Sequence, residues 1–133
     1  MNMISRDERK SQKGIKKFIN SFTYPIKGLK YAYRNEQNLV VDVGIAIIVI
    51  LCGLIFRVSG IEWAILILTI GLVISCELIN TAIEAVVDLI TEEYHPLAKV
   101  AKDTSASAVF IFAIVAVVVG LIIFLPKIIM LFR

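Results

Sequence analysis

Residues 39–56 and 108–125 form two long apolar runs, the first interrupted only by Asp42 and the second free of charged side chains. At about 1.5 Å per residue in a helix, each run is long enough to cross a hydrocarbon layer of roughly 30 Å. A chain of 133 residues that is 59% hydrophobic also lies outside the composition of ordinary soluble domains. The sequence therefore predicts an all-α integral membrane protein with a single domain.

A third span is predicted only if one helix continues beyond the end of its apolar part. The uncharged run 63–76 is too short to cross a bilayer by itself, but it leads directly into Glu77 and on towards Ile90. We therefore predict transmembrane helices at about 39–57, 62–90 and 104–125, joined by a turn at 57–62 and a loop at 91–103.

Basic residues are concentrated before the first predicted span. Nine of the 14 lysines and arginines precede Leu39. Because basic residues beside a span favour the cytoplasmic side, this excess predicts a cytoplasmic N-terminus. With three spans, the 91–103 loop lies on the cytoplasmic side as well, and the 57–62 turn lies outside.

The segment before the first span divides into two parts. Residues 1–12 lack a periodic pattern and predict a cytoplasmic tail, whereas residues 13–34 repeat apolar side chains at steps of three and four, with lysines largely opposite. This second pattern is typical of an amphipathic helix that lies in the membrane surface, and Pro25 is expected to bend or divide it. The helix could be a membrane anchor or a lid over the spans, and the sequence leaves both open.

A polar stripe interrupts the second predicted span. Glu77, Asn80, Glu84 and Asp88 fall within about 80° of one another when successive residues turn by 100° around a helix. Because ionisable residues inside a membrane segment are costly, such a stripe is a site hypothesis by default. Asp42, one turn inside the first span, matches no such pattern and is expected to reach for lipid headgroups.

The stripe has neighbours with complementary chemistry. Glu36 precedes the first span and residues 99–103 precede the third, so both can approach the cytoplasmic end of the stripe. Carboxylates bind Mg²⁺ together with substrate phosphates, Lys102 can bind a phosphate, and a remaining carboxylate can accept a proton from an alcohol. These are the parts that phosphoryl transfer requires.

The residues alone do not settle the function, because the chain contains neither a Walker motif nor a Gly-rich kinase loop with a catalytic His-Arg-Asp. A small proton- or ion-conducting subunit would use the same carboxylates as a relay. A scaffold with a basic membrane anchor would account for the N-terminal helix but would leave the stripe unexplained.

The segment 77–88 resembles the signature of the prokaryotic diacylglycerol kinase family. The resemblance extends to Glu93-Tyr94-His95, Ala101-Lys102-Asp103, Lys27-Gly28-Leu29 and Asn35-Glu36, and covers roughly residues 15–125. Members of this family are small integral-membrane lipid kinases that use ATP with Mg²⁺ and form homotrimers, each protomer having three spans and an amphipathic helix. The resemblance implies the same fold, trimer, cofactor and co-substrate here, a multi-pass location in the bacterial plasma membrane, and no nucleic-acid partner.

The resemblance also implies roles for individual residues. Glu77 is expected to be the general base towards the lipid hydroxyl, and Lys17 to lie near the headgroup of that lipid substrate. Glu36 and Glu84 are expected to hold the nucleotide's metal. The ATP-binding residues implied by the family are Tyr24, Glu36, Glu84, Glu93, Tyr94, His95, Lys102 and Asp103. Asn80 and Asp88 match polar residues that the family requires around the site.

Two further stretches bear on the lipid substrate. The runs 93–99 and 110–113 resemble the Gram-positive branch, whose members typically phosphorylate undecaprenol. In the Gram-negative enzymes a serine stands at the position of Ala106, so a hydroxyl near the substrate has shifted or vanished in this chain. The resemblance therefore favours undecaprenol as the acceptor, with diacylglycerol as the alternative.

Overall fold

The structure is a computed structural model that describes residues 14–132, except for the side chains of Lys16 and Lys17. Within these residues the backbone forms helices and no strand, which confirms the all-α prediction. The helices are α1 (Ile15–Asn35), α2 (Gln37–Ile55), α3 (Gly60–Ile90) and α4 (Pro96–Leu131). The predicted tail, residues 1–12, lies outside the described residues.

Helix α1 belongs to one compact unit, and the three longer helices, from Glu36 onward, belong to a second. The helix runs through Pro25 without interruption, so the predicted division at this proline is wrong. Its apolar residues include Phe18 and Phe22, which are exposed and stack edge to face with ring centroids 5.1 Å apart. The position of α1 in the membrane surface stays a prediction.

The helices α2, α3 and α4 are each long and apolar enough to cross a membrane. With 31 residues, α3 is about 46 Å long at 1.5 Å per residue, more than a hydrocarbon layer requires. It continues through Glu77 to Ile90, as the third predicted span requires. The structure therefore supports three membrane-spanning helices.

The connection between α3 and α4 is shorter than predicted, because α4 begins at Pro96 and not after residue 103. Proline is favoured at the first position of a helix, where its missing N–H would have no intrahelical partner. His95 caps the helix, its Nδ1 accepting a hydrogen bond from the backbone N–H of Leu97 at 3.3 Å. Lys99, Lys102 and Asp103 consequently lie on a helix instead of in a loop.

The end of the molecule that holds the α2–α3 turn is tightly held together. Ser59 and Glu62 form a reciprocal capping box at the start of α3, and the Glu62 carboxylate also pairs with Lys127 of α4 at 3.0 Å. Apolar packing adds to these contacts, since Val58, Leu66 and Ile123 form a buried cluster. This end fixes the spacing of the three helices.

The opposite end brings together the start of α2, the second half of α3 and the start of α4. The connections from α2 to α3 and from α3 to α4 are each only a few residues long, so these three helices run antiparallel to their neighbours, and α3 packs against both α4 and α2. The polar stripe of α3 therefore faces residues from both neighbouring helices. Most apolar side chains of the single chain are exposed, as expected for helices that contact lipid or other chains.

Candidate functional site

Glu77 is the most deeply buried charged residue of the described chain, with 1% of its surface exposed. Its Oε2 atom has no hydrogen-bond partner among the described residues. Burying a carboxylate in a membrane segment costs about 2.5–3.5 kcal/mol on insertion scales, and a buried polar atom without a partner is rare. A carboxylate kept in this state has an oxygen available for a substrate.

Glu77 is one of the residues that line a cavity of about 320 Å³, which is bounded by all three long helices. Apolar side chains make up most of the lining, and the polar members besides Glu77 are Asn38, Asp42 and Asn80. Such a combination of apolar walls and a few polar groups is typical of small-molecule sites. The cavity is open enough to admit the end of a lipid molecule beside the carboxylate.

Three other carboxylates lie within electrostatic range of Glu77, namely those of Glu36, Asp42 and Glu84. All three are half-buried. Glu36 stands at the N-cap of α2 and forms no capping hydrogen bond through its side chain. Both predicted metal ligands, Glu36 and Glu84, therefore lie within electrostatic range of the predicted base.

Asp42 lines the wall of a cavity, a position that the sequence-based expectation of a headgroup contact does not include. Its side chain is half-buried and lines the cavity that contains Glu77. It also borders a second, apolar cavity of about 310 Å³ between the three helices. Its position near the start of α2 places it level with the second half of α3, which runs in the opposite direction.

Asn80 connects Glu84 to the neighbouring helix α4. Its Nδ2 donates a hydrogen bond to Glu84 Oε1 at 3.0 Å, and its Oδ1 accepts one from Ser105 Oγ at 2.6 Å. Both Asn80 and Ser105 are buried, each with 8% of its surface exposed. The sequence identified Asn80 and Glu84 as parts of one stripe but gave no role to Ser105.

Asp88 and Lys102 also meet across α3 and α4, with Lys102 Nζ at 2.5 Å from Asp88 Oδ1. The Lys102 side chain is 38% exposed and the Asp88 side chain is 58% exposed. Asp103 follows Lys102 in α4 and forms an ion pair with Lys99 of the same helix. The predicted nucleotide-binding residues of α4 are therefore held in place by carboxylate and ammonium partners that remain accessible to solvent.

Glu93, Tyr94 and His95 lie in the short connection between α3 and α4, and all three are exposed. Thr91 Oγ1 accepts a hydrogen bond from the backbone N–H of Glu93 at 3.1 Å, which forms a tight turn at the end of α3. The connection stands at the same end of the helices as Lys102. This segment is accessible to a soluble ligand.

Two predicted site residues belong to the other compact unit. Tyr24 lies on α1 with an exposed side chain. Lys17 is also part of α1, but its side chain lies outside the described residues.

In the described part of the chain, no three His, Cys, Asp or Glu side chains come together closely enough to hold a metal ion. Mg²⁺ commonly uses only one or two carboxylates and completes its shell with waters and substrate phosphates. Glu36 and Glu84 fit this smaller ligand set. The hydrogen bond from Asn80 reaches only Oε1 of Glu84, and the Glu36 side chain is not used to cap its helix, so both carboxylates have an oxygen that can face a metal ion.

The fold and the site together define a small helical membrane protein with a carboxylate centre at one end of its spans. The model of the family described as prokaryotic diacylglycerol kinase matches residues 23–124, and the chain belongs to that family. It is therefore a membrane lipid kinase, and the kinase reaction implies ATP as co-substrate.

Several characterised proteins are similar to this chain over most of its length. An undecaprenol kinase from Bacillus subtilis is 45% identical over 125 residues, which cover 94% of this chain and 99% of the relative. A diacylglycerol kinase from Escherichia coli K12 is 42% identical, covering 79% of this chain and 86% of the relative. A diacylglycerol kinase from Synechocystis is also 42% identical, covering 80% and 61%.

Proposed function

We propose that this chain transfers the γ-phosphoryl group of ATP to the hydroxyl of undecaprenol at the cytoplasmic membrane face, giving undecaprenyl phosphate. The similarity that supports this acceptor covers nearly the whole of both chains and concerns a relative named undecaprenol kinase. The second candidate is phosphorylation of diacylglycerol, which is favoured by the names of other relatives. Both candidates place a lipid alcohol beside Glu77.

Glu77 acts as the general base. The observation that carries this role is the burial of Glu77 with Oε2 unpartnered, beside a cavity that the residue lines. A lipid hydroxyl in that cavity can donate its hydrogen bond to Oε2 and then its proton, as its oxygen attacks the γ-phosphorus.

Glu36 and Glu84 hold the Mg²⁺ ion of the nucleotide. Bound Mg²⁺ neutralises charge on the phosphates during transfer. Asn80 donates a hydrogen bond to Oε1 of Glu84 and so orients the Glu84 carboxylate for this role. Glu36 reaches the same region from the first turn of α2.

Lys102 and Asp103 hold the nucleotide together with Tyr24, Glu93, Tyr94 and His95, while Lys17 lies near the lipid headgroup. Support for Lys102 comes from its ion pair with Asp88 across the helices. Because the pair is exposed and screened by solvent, a phosphate can share or replace the Asp88 carboxylate at little cost. Asp88 thus keeps the ammonium group near the metal site until a nucleotide arrives.

The assembly is a homotrimer in the plasma membrane with its N-terminus in the cytoplasm. Basic residues ahead of the first span support this orientation. The exposed apolar faces of α2, α3 and α4 support an oligomer, because helices in a bilayer associate through such packing surfaces.

The experiment is phosphate transfer from labelled ATP by the purified protein in detergent micelles, with undecaprenol and diacylglycerol offered separately and in competition. We expect labelling that requires Mg²⁺ and favours undecaprenol. Preference for diacylglycerol would establish the second candidate. Labelling of neither lipid would contradict the proposed activity.

A further inference from the structure

Ser105 is a buried polar residue without a role in the reaction described so far. It lies on α4, and its hydroxyl is 2.6 Å from Oδ1 of Asn80 on α3. Asn80 is in turn 3.0 Å from Glu84 through its Nδ2 atom. A continuous series of two hydrogen bonds therefore joins Ser105 to a proposed metal ligand.

The hydrogen-bonding capacity of each group fixes the direction of this series. The carboxylate oxygen Oε1 of Glu84 accepts in this contact, so the Asn80 atom that faces it is the amide nitrogen. The amide oxygen then faces Ser105 and requires a donor, which the hydroxyl supplies. If the amide were turned over, its oxygen would lie about 3 Å from the carboxylate oxygen, and two acceptors would repel each other.

Ser105 has a second acceptor within reach, the backbone carbonyl of Lys102 at 2.9 Å. The hydroxyl carries one hydrogen and can donate it to only one of the two acceptors at a time. A carbonyl within a helix also accepts from the N–H four residues further on, whereas the buried Oδ1 of Asn80 depends on Ser105. The shorter contact, to Asn80, is thus the one that satisfies both groups.

The location of Ser105 also explains the altered hydroxyl position in the sequence. Ala106 lines the cavity that contains Glu77, and Ser105 does not. A shift by one residue turns a side chain by about 100° around the helix. The hydroxyl of this chain therefore faces Asn80 instead of the cavity where the lipid alcohol is proposed to bind.

We propose that Ser105 is a positioning residue that fixes the Asn80 amide and thereby holds the Glu84 carboxylate in the orientation required to bind the nucleotide's metal. This inference rests on the proposed role of Glu84. It predicts that loss of the Ser105 hydroxyl weakens Mg²⁺-dependent nucleotide binding and leaves the lipid alcohol site unaffected.

The test measures binding of a non-hydrolysable ATP analogue to the full-length protein in detergent as Mg²⁺ is increased. We expect Ser105→Ala to raise the Mg²⁺ concentration needed for half-maximal binding about 10-fold, the scale at which residues behind metal ligands act. The KM for the lipid alcohol should stay unchanged, and kcat should recover at high Mg²⁺. Ser107→Ala is the matched control, because Ser107 on the same helix is exposed and donates only to the Asp103 carbonyl.

A second pair of variants separates the hydroxyl from packing. Ser105→Thr keeps the hydroxyl. Ser105→Val introduces a side chain of nearly the same shape as threonine but without a hydroxyl. We expect the Mg²⁺ requirement of the threonine variant to match the unmodified protein and that of the valine variant to rise. Adding Ser105→Ala to Asn80→Ala should have no further effect, because Ser105 acts through Asn80.

The outcomes distinguish the two levels of the proposal. Equal Mg²⁺ requirements for the threonine and valine variants, or a loss of kcat that high Mg²⁺ does not restore, would overturn the role of Ser105. Failure of the unmodified protein to bind the analogue in a Mg²⁺-dependent manner would instead overturn the proposed metal site.

Discussion

The ammonium group of Lys102 on α4 lies 2.5 Å from Oδ1 of Asp88 on α3. This ion pair joins the two helices next to the half-buried Glu84, which lies one turn before Asp88 on the same helix. Both partners retain exposed surface, so the pair orients Lys102 without shielding it from a ligand. Loss of this ion pair should therefore affect nucleotide binding more than it affects the stability of the folded protein.

Lys102→Met is expected to raise the KM for ATP about 10-fold or more, because a charge-assisted hydrogen bond to phosphate is worth about 1.5–3 kcal/mol. Stability should change little, because both partners of the ion pair are exposed to solvent. Initial rates at varied ATP and thermal unfolding in detergent measure the two effects. Lys127→Met is the control, since Lys127 also lies on α4 but pairs with Glu62 at the opposite end of the helices. A similar KM for both variants would contradict the role of Lys102.

Glu77→Gln is expected to lower kcat by about 10²–10⁴-fold, the range attributed to a general base. Nucleotide affinity should persist because Glu84, Lys102 and Asp103 are unchanged. The melting temperature should not fall, since the substitution removes a buried charge whose Oε2 has no partner in the described structure. The measurements are single-turnover phosphate transfer, binding of a non-hydrolysable ATP analogue and thermal unfolding. Glu92→Gln, in the exposed loop, should retain activity, and turnover by Glu77→Gln at the unmodified rate would exclude the base assignment.

Most of the fold could be predicted because the physical signals are local. Apolar length predicts the spans, and the continuation of α3 through Glu77 follows from the shortness of the run 63–76. The start of α4 was missed although Pro96 is a favoured first residue of a helix, because the charges at 99–103 were interpreted as a loop. Pro25 is accommodated within α1, so a proline alone does not determine where a helix ends.

The site is less predictable because its decisive contacts cross from one helix to another. Helical spacing places Asn80 and Glu84 on one face, but no sequence pattern pairs Asn80 with Ser105, which is 25 residues away. The position of Asp42 is equally hard to predict from the sequence, since its place beside Glu77 depends on how α2 packs against α3. Contacts of this kind require distances between helices, and the sequence alone contains none.

The proposed orientation predicts opposite accessibility for the two short connections. In a chain with Cys52 and Cys76 replaced by alanine, Ile61→Cys marks the start of α3 and Glu92→Cys marks the loop after it. Both positions are exposed in the single chain. In intact cells a membrane-impermeant maleimide should label position 61, and it should label position 92 only after permeabilisation. Labelling with the reverse pattern would place the N-terminus outside and would contradict the proposed cytoplasmic site.

The packing of Trp63 against Gly53 predicts a stability effect that is separate from catalysis. A Cβ atom added at Gly53 would lie 2.6 Å from Cη2 of the Trp63 ring, whereas one added at Gly44 of the same helix would meet nothing within 4 Å. Overpacking costs about 1–3 kcal/mol, and alanine in place of glycine gains up to about 1 kcal/mol in a helix. Gly53→Ala should therefore unfold at a lower temperature than Gly44→Ala, and the smaller ring of Trp63→Phe should suppress that difference.

Because this contact lies at the end of the spans opposite Glu77, the folded Gly53→Ala protein should keep the unmodified KM for ATP. Equal melting temperatures for the two alanine variants would show that the Trp63 ring moves aside freely.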